Sequence, residues 1–230
     1  MTASSNQSNA KITQIASLIE HTLLGENIDE ARVRAHLEEA KSLGVLAVCL
    51  PLAWVSLAKK IIGANPIKVV TVIDFPLGEK SSSEKAQEAR IAADLGADEI
   101  DMVLDYQALI NLQYAKVLHD IMEVIRVTKP IPIKVIVETS ALNHDQLVAA
   151  ITIVGLANAD FIKTSTGFHK SGAQTLDIAL MRRLLAPNVG IKASGGIRDY
   201  HSACKMIEAG ANRIGTSKSK EILSKLFTAT

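Results

Sequence analysis

The strongest constraint on the fold of this chain is a repeated alternation of two kinds of segment. Apolar runs of strand length alternate with longer segments of helical period, a pattern typical of βα units around a parallel sheet. Eight runs fit the strand pattern: 18–24, 46–50, 69–75, 99–104, 133–138, 161–165, 190–194 and 213–216. Because no Pro- or Ser-rich linker separates them, the pattern predicts one α/β domain over residues 11–230, a (β/α)8 TIM barrel with its chemistry at the carboxyl ends of the strands.

Capping signals mark the predicted helices. A Ser or Asn followed three residues later by Glu or Gln caps free N–H groups at a helix start. The sequence offers three such pairs: Asn27 with Glu30, Ser81 with Glu84, and Asn143 with Gln146. Four glycines that permit a left-handed turn close helical patterns before a strand: Gly44, Gly63, Gly96 and Gly210.

Composition limits the partners and the compartment. Lys and Arg number 25 against 24 Asp and Glu, and aromatic residues are 3% of the chain, which disfavours nucleic-acid binding. The longest uncharged stretch, 147–159, is too short to span a bilayer, and residues 1–10 predict a flexible polar tail without a secretory pattern. Two cysteines, Cys49 and Cys204, fit a reducing compartment. We expect a cytoplasmic protein without nucleic-acid or membrane partners; the sequence leaves a homo-oligomer open.

A weak internal repeat aligns four strand entries, at 43–49, 95–101, 157–163 and 209–215. If the units are equivalent, Cys49, Asp101, Lys163 and Gly215 occupy matching positions and point to the same face of the sheet. A shared need for turn residues would explain the Gly-Ala part of the repeat. It does not explain the alignment of Asp101 with Lys163.

Two lysines, Lys163 and Lys192, lie inside apolar strand runs, and the period of two places both toward the barrel interior. A buried ammonium is costly, so such a lysine either pairs with a carboxylate or gives up its proton. Two neighbouring cations favour the second outcome for one of them. A neutral amine attacks carbonyls, which indicates Schiff-base chemistry.

The same alternation predicts further charges on the inner face: Glu99, Asp101, Asp105, Lys134 and Glu138. An unreactive, fully paired ion network is the alternative interpretation for any one of the lysines, and we assign Lys134 to that supporting function. For Lys163 the pattern favours reactivity, because small hydroxyl residues and Gly167 follow it and leave open space at the strand end.

Glycine-rich turns follow the last two predicted strands. Gly195 and Gly196 follow strand seven, and Gly215, Thr216 and Ser217 follow the start of strand eight. Backbone N–H groups in such turns approach anions closely, and barrels commonly bind phosphate there. The turns therefore predict a phosphorylated substrate.

A metal site is not predicted, because the histidines show no HxH or HExxH spacing and no acidic cluster is evident. Cys49 is expected to be a small core residue, which an inward position near a lysine would expose to aldehydes.

Taken together, these motifs resemble the deoxyribose-phosphate aldolase family of class I, Schiff-base aldolases. The resemblance runs from about Ile15 to the end of the chain. The matching runs are EHTLL at 20–24, VC at 48–49, DFPLG at 74–78, DEID at 98–101, KVIVET at 134–139, FIKTSTGF at 161–168 and IKASGGIR at 191–198.

The resemblance implies a lyase that reversibly cleaves 2-deoxy-D-ribose 5-phosphate to D-glyceraldehyde 3-phosphate and acetaldehyde, in deoxyribonucleotide breakdown. It implies that Lys163 is the Schiff-base lysine, that Lys192 favours the neutral form of that amine and relays protons, and that Asp101 is the carboxylate of the relay. Gly167, Gly195, Gly196 and the 215–217 turn would bind the phosphate, with Cys49 and Lys134 in support. No organic cofactor or metal is implied.

The chain departs from the family pattern at Glu20, Asp74 and Lys218, and it stops at Thr230 without a long tail. Glu20 and Asp74 are not expected to touch the lysine pair, whereas Lys218 is expected to alter phosphate contacts.

Two alternatives remain at this point. One is a Schiff-base aldolase or an isomerase acting on another phosphosugar, with Asp101 as the base of the isomerase. The other is a non-catalytic barrel that binds a phosphorylated metabolite and in which the lysines are only ion-paired.

Overall fold

A closed sheet of eight parallel strands forms the centre of the protein, whose computed structural model describes residues 13–224. Each strand pairs with the next along the chain, and the last pairs with the first. The strands are β1 (Ile19–Thr22), β2 (Ala47–Pro51), β3 (Lys68–Ile73), β4 (Glu99–Val103), β5 (Ile133–Ile136), β6 (Phe161–Lys163), β7 (Gly190–Ser194) and β8 (Arg213–Thr216). All eight predicted strands and the TIM barrel are confirmed. The predicted tail, residues 1–10, lies outside the described residues.

Helices follow the strands and surround the sheet. They are α1 (Glu30–Leu43), α2 (Val55–Ile62), α3 (Ser82–Asp94), α4 (Tyr106–Ile110), α5 (Tyr114–Thr128), α6 (His144–Leu156), α7 (Thr175–Leu184), α8 (Tyr200–Glu208) and α9 (Ser219–Ser224). Short 3-10 turns occupy Leu52–Trp54 and Thr139–Ala141.

The capping predictions hold at two of three helix starts. Ser81 and Asn143 each form a complete capping box. The prediction for Asn27 is wrong: Asp29 caps α1 by accepting a hydrogen bond from the backbone N–H of Arg32 at 2.8 Å. Asp29 directly precedes the first helical residue, whereas Asn27 has a φ of 54° and lies outside the helix. At the other end of α1, Gly44 has the predicted left-handed conformation.

Strand alternation divides the apolar residues into two clusters. Outward side chains such as Val48 and Ile100 pack against the helices in one large core. Inward side chains of β2 and β3, with Cys49 and Val72 among them, form a separate buried cluster inside the barrel. The interior is therefore apolar beside β2 and β3, and it is charged elsewhere.

Of the five strands that end before their predicted last residue, β1, β3, β4, β5 and β6, two are followed by a non-glycine residue in the left-handed region. Asp74 follows β3 with a φ of 48°, and Glu138 lies two residues beyond β5 with a φ of 52°. Asp105, predicted on the inner face of β4, instead caps α4 by accepting from the Ala108 N–H at 2.8 Å. Its carboxylate also pairs with Lys116, away from the barrel interior.

A buried histidine pair lies on the outer side of β1. The rings of His21 and His36 stack with their centroids 3.8 Å apart and their planes 11° from parallel. Burial lowers the pKa of His21 to about 3, assisted by His36, and it lowers the pKa of His36 to about 4. Both rings are therefore neutral at physiological pH.

This pair should make the protein less stable in acid. Unfolded histidines bind protons near pH 6.5, whereas the folded pair resists protonation until about pH 3 to 4, so the free energy of unfolding should fall as the pH drops through this interval. A His36→Phe variant keeps a stacked ring at this position but removes one titrating group. Urea unfolding at several pH values should therefore show a free energy of unfolding that falls less steeply with decreasing pH than in the wild type. The matched control is His201→Asn, which replaces an exposed histidine on α8. The prediction would be contradicted if the free energy of unfolding of His36→Phe fell with pH as steeply as that of the control.

Candidate active site

Asp101 on β4 is the centre of the charged barrel interior. Its Oδ1 accepts a hydrogen bond from Lys134 at 2.9 Å, and its Oδ2 accepts from Lys163 at 2.9 Å and from Lys192 at 2.7 Å. Lys163 and Lys192 also face each other in the register of β6 and β7. The two amines therefore lie no further apart than two hydrogen-bond lengths, and the structure brings together the three residues that the sequence selected.

Lys134 and Lys192 each bind a second carboxylate. The Lys134 ammonium lies 2.7 Å from Glu99, and Lys192 donates to Glu20. Lys163 differs from both, because within residues 13–224 its only ion pair is with Asp101. It is the lysine with the least compensation by negative charge.

Arg213 and Glu20 belong to this network, although sequence reasoning missed their contribution. The Arg213 guanidinium lies 3.3 Å from Glu20 and 3.1 Å from Glu99. The expectation that Glu20 avoids the lysine pair is wrong, since it binds Lys192 directly. The signal was present in the sequence, because both residues occupy inward positions of the period-two pattern on β1 and β8.

The charges of the network fix the ionisation of its members. Burial would raise the pKa of Asp101, but the positive charges of Lys134, Lys163 and Lys192 hold it well below the ordinary value. Burial would lower the pKa of Lys192, but Asp101 and Glu20 outweigh it, so that the pKa is raised. Asp101 is thus a carboxylate and Lys192 an ammonium across the physiological range.

Cys49 lies in the inner cluster next to these charges. Burial raises the pKa of its thiol to about 11, against the opposing effect of Lys192. The side chain is therefore a thiol and not a thiolate, and it is fully buried, as expected of a small core residue.

A cavity of about 390 Å³ opens at the carboxyl ends of the strands, and Lys163 and Lys192 lie in its wall. All residues selected from the sequence as phosphate ligands line it: Gly167, Gly195, Gly196, Gly215, Thr216 and Ser217. Two guanidinium side chains that sequence reasoning missed, Arg32 and Arg198, line the same cavity. The reactive end and the expected anion site therefore share one space.

The members of the phosphate set differ in what their side chains do. A Cβ on Gly215 would lie 2.9 Å from Cε of Lys192, so this glycine makes room for the lysine. The Thr216 hydroxyl donates to the carbonyl of Ile197 at 2.7 Å and accepts from the N–H of Lys218 at 2.9 Å, which joins the two glycine-rich turns. The Lys218 ammonium pairs with Glu221 on the surface and is not part of the cavity wall.

Three of the residues selected as phosphate ligands keep a free backbone N–H group. Among the residues that the structure describes, Gly167, Gly196 and Ser217 take part in no hydrogen bond. Their backbone N–H groups are therefore available to an anion in the cavity.

The turns after β6 and β7 are in direct backbone contact. A Cβ on Gly172 would lie 2.0 Å from the carbonyl oxygen of Gly195, and a Cβ on Gly195 would lie 2.8 Å from Cα of Gly172. The N–H of Ala173 bonds to the carbonyls of Ser194 and Gly195 at 3.0 and 3.1 Å. Only glycines allow this approach, and Gly172 was not singled out from the sequence.

Glu138 does not join the lysine network as the alternation predicted. Its carboxylate accepts from the Thr166 N–H at 3.0 Å and from the Thr166 hydroxyl at 2.5 Å. Since β5 has already ended, Glu138 points to the loop that follows Lys163 and holds that loop in place. Asp74, another departure from the family pattern, pairs with Lys85 away from the cavity wall.

Comparison with known proteins agrees with this architecture. The model of the DeoC/LacD family aldolases matches residues 13–225. The chain belongs to this aldolase family. The deoxyribose-phosphate aldolase of Caldicellulosiruptor saccharolyticus is 45% identical over 92% of this chain and 98% of its own, and that of Halalkalibacterium halodurans is 45% identical over 91% and 95%.

Solved structures from this family share the fold. A putative deoxyribose-phosphate aldolase from Coccidioides immitis has a TM-score of 0.91 and 36% identity, covering 93% of this chain and 86% of its own. The tetrameric deoxyribose phosphate aldolase from Aeropyrum pernix has a TM-score of 0.87 and 28% identity, covering 100% and 99%. Membership of the family makes the chain an aldolase, and hence a lyase.

Other expectations concern partners and location. In the described part of the chain, no helix is both long and apolar enough to cross a bilayer, and no group of three or more His, Cys, Asp or Glu residues could hold a metal ion. A cytoplasmic location, the lack of nucleic-acid partners, a mechanism without a metal or cofactor and a homo-oligomeric state stay predictions.

Replacing Asp101 by Asn should destabilise the fold. The change removes the negative charge shared by three buried ammonium groups, and breaking a buried ion pair in this way costs about 3–5 kcal/mol. Urea denaturation measures the loss in the free energy of unfolding. The control is Glu38→Gln, which removes an exposed pair with Lys41 and should cost at most about 1 kcal/mol. Equal losses in the two variants would show that Asp101 does not hold the network together.

Proposed function

We propose that this aldolase cleaves 2-deoxy-D-ribose 5-phosphate to D-glyceraldehyde 3-phosphate and acetaldehyde through a Schiff base on Lys163. The observation that carries the proposal is that Lys163 lies in the cavity wall while its only ion pair, within residues 13–224, is a carboxylate shared with two other lysines. The names of the relatives supply the substrate.

The balance of charge distinguishes Lys163 from the other lysines of the barrel interior. Apart from Lys163, the inner network contains three carboxylates, Glu20, Glu99 and Asp101, and four cations, Lys68, Lys134, Lys192 and Arg213. A protonated Lys163 would add a positive charge without a further carboxylate in a site that water hardly reaches. Lys163 is therefore the buried lysine of the network with the least negative charge beside it, which distinguishes it as the candidate nucleophile.

The reaction then follows from ordinary amine chemistry. The Lys163 nitrogen adds to the C1 aldehyde of the open-chain sugar, and loss of water gives a protonated imine. The imine withdraws the electron pair of the C2–C3 bond when the C3 hydroxyl gives up its proton. Glyceraldehyde 3-phosphate leaves with the new C3 carbonyl, and an enamine remains on the lysine. Protonation of C2 and addition of water release acetaldehyde and restore the amine.

Asp101 and Lys192 are the groups we assign to the proton transfers. Asp101 lies 2.9 Å from the Lys163 nitrogen, within reach of a water at the reacting carbons. Its lowered pKa suits a group that passes a proton onward and does not retain it. Lys192 stays charged beside it and keeps Asp101 ionised after Lys163 has become part of the imine.

The phosphate of the substrate is assigned to the part of the cavity lined by the glycine-rich segments after β6, β7 and β8. The free N–H groups of Gly167, Gly196 and Ser217 and the exposed guanidinium of Arg198 surround this space. Backbone donors and a fork of guanidinium N–H groups are the usual ligands of phosphate in proteins. Thr216 contributes by joining the two turns and not through a free hydroxyl.

Trapping with borohydride tests the Schiff base. Acetaldehyde and borohydride should together modify Lys163, as peptide mass mapping would show. Excess 2-deoxyribose 5-phosphate should compete with acetaldehyde for this amine and reduce the amount of acetaldehyde adduct. The Lys163→Met variant should fold and release no acetaldehyde in an assay coupled to alcohol dehydrogenase. The matched control is Lys170→Met, an exposed lysine in the same loop, which should keep full activity. Modification at Lys192 with Lys163 untouched, or turnover by Lys163→Met, would refute the assignment.

Replacing Arg198 by Gln tests the phosphate site. The loss of one charged hydrogen-bond donor, worth about 1.5–3 kcal/mol, should raise the KM for 2-deoxyribose 5-phosphate by about 10- to 100-fold. Trapping of acetaldehyde on Lys163 should be unaffected, because acetaldehyde carries no phosphate. Arg183→Gln on α7, also an exposed arginine, is the control. An unchanged KM in Arg198→Gln would exclude this arginine from the site.

A further inference from the structure

The turn that follows β8 lines the cavity, yet the helix after it is too short to hold the turn in place. The helix α9 has six residues, and a helix of this length is not stable in isolation. Its first residue, Ser219, is completely buried and comes directly after the short turn of Ser217 and Lys218, in which Ser217 lines the cavity. Whatever holds Ser219 therefore also sets the position of that turn.

Ser219 is held from β1. Its hydroxyl lies 2.8 Å from Nδ1 of His21, in a contact that solvent does not reach. The stacked ring of His36 covers His21, and Nε2 of His36 donates to the backbone carbonyl of His21 at 3.2 Å. The Nε2 atom of His21 has no partner among residues 13–224, so Nδ1 and the stacking hold this ring.

Strand β1 also contributes to the reactive end of the cavity. Glu20 and Thr22 flank His21 and point inward, where Glu20 binds Lys192 and Thr22 lines the cavity. His21 points outward between them, by the period of two. One strand of four residues thus contacts the lysine pair on one face and the helix after the phosphate turn on the other.

We propose that His21 is a positioning residue for phosphate binding, which acts by holding Ser219 and with it the turn at 217–218. This inference rests on the proposed function for its substrate. His36 supports the ring of His21 and does not reach the turn itself. His21 touches neither the substrate nor the lysines, so its effect is confined to the affinity for the phosphate group.

The test is a Ser219→Ala variant, which removes the hydroxyl and adds no bulk. Loss of this hydrogen bond should raise both the KM for 2-deoxyribose 5-phosphate and the Kd for inorganic phosphate, measured by titration calorimetry, about fivefold. The kcat and the rate of acetaldehyde trapping on Lys163 should not change. The matched control is Ser224→Ala in the same helix, where the serine is exposed and all constants should stay at wild-type values.

A second variant separates positioning from general stability. In His21→Asn the amide replaces Nδ1 as a partner of Ser219, so phosphate affinity should stay closer to wild type than in Ser219→Ala, even though the lost ring stacking lowers the melting temperature. The proposal would be overturned if the KM and the Kd for phosphate changed in step with the melting temperature across the variants. It would also be overturned if Ser219→Ala had the same KM and Kd as Ser224→Ala.

The outcomes also distinguish this inference from the aldolase proposal. If the wild-type protein binds phosphate but cleaves no 2-deoxyribose 5-phosphate, the proposed substrate is wrong, and the phosphate titrations still decide the function of His21. If the wild-type protein cleaves 2-deoxyribose 5-phosphate but binds no inorganic phosphate, the proposal for His21 fails and the aldolase proposal stands.

Discussion

A single carboxylate, that of Asp101, determines the arrangement of the barrel interior. It accepts hydrogen bonds from Lys134, Lys163 and Lys192, which come from three neighbouring strands. Three ammonium groups cannot be buried together unless negative charge balances them, and Glu20 and Glu99 supply the rest. The amine with the fewest carboxylate partners, that of Lys163, also lies in the cavity wall. The reactivity that we propose for it is a property of the whole network and not of one side chain.

The division of the barrel interior into two halves follows from the same requirement. Strands β2 and β3 contribute an apolar inner surface that includes Cys49 and Val72, whereas the ion network occupies the side formed by the other strands, joined by Lys68 at the start of β3. Low-dielectric surroundings on one side strengthen every charge interaction on the other. They also keep the thiol of Cys49 protonated, since burial raises its pKa.

Much of this structure could be predicted because strands with a period of two leave a clear record in sequence. The inward positions of Asp101, Lys163 and Lys192 follow directly from that period. The period fails where a strand ends early, and for this reason Glu138 and Asp105 were assigned to the wrong face: a left-handed residue or a helix cap is not visible in an apolar pattern. Pairing is harder still, since the contact between Glu20 and Lys192 joins residues 172 positions apart. The stacking of His21 on His36 has no sequence signature at all.

The contact between Gly172 and Gly195 has a consequence for evolution of the two turns that it joins. Their backbones touch where even a methyl group does not fit, so neither turn can lengthen, shorten or rotate without the other. One turn follows the lysine of the proposed Schiff base, and the other carries donors for the proposed phosphate site. New substrates of a different length would therefore have to be accommodated by changes on the β1 and β2 side of the barrel mouth, where no glycine among residues 13–224 makes such a contact.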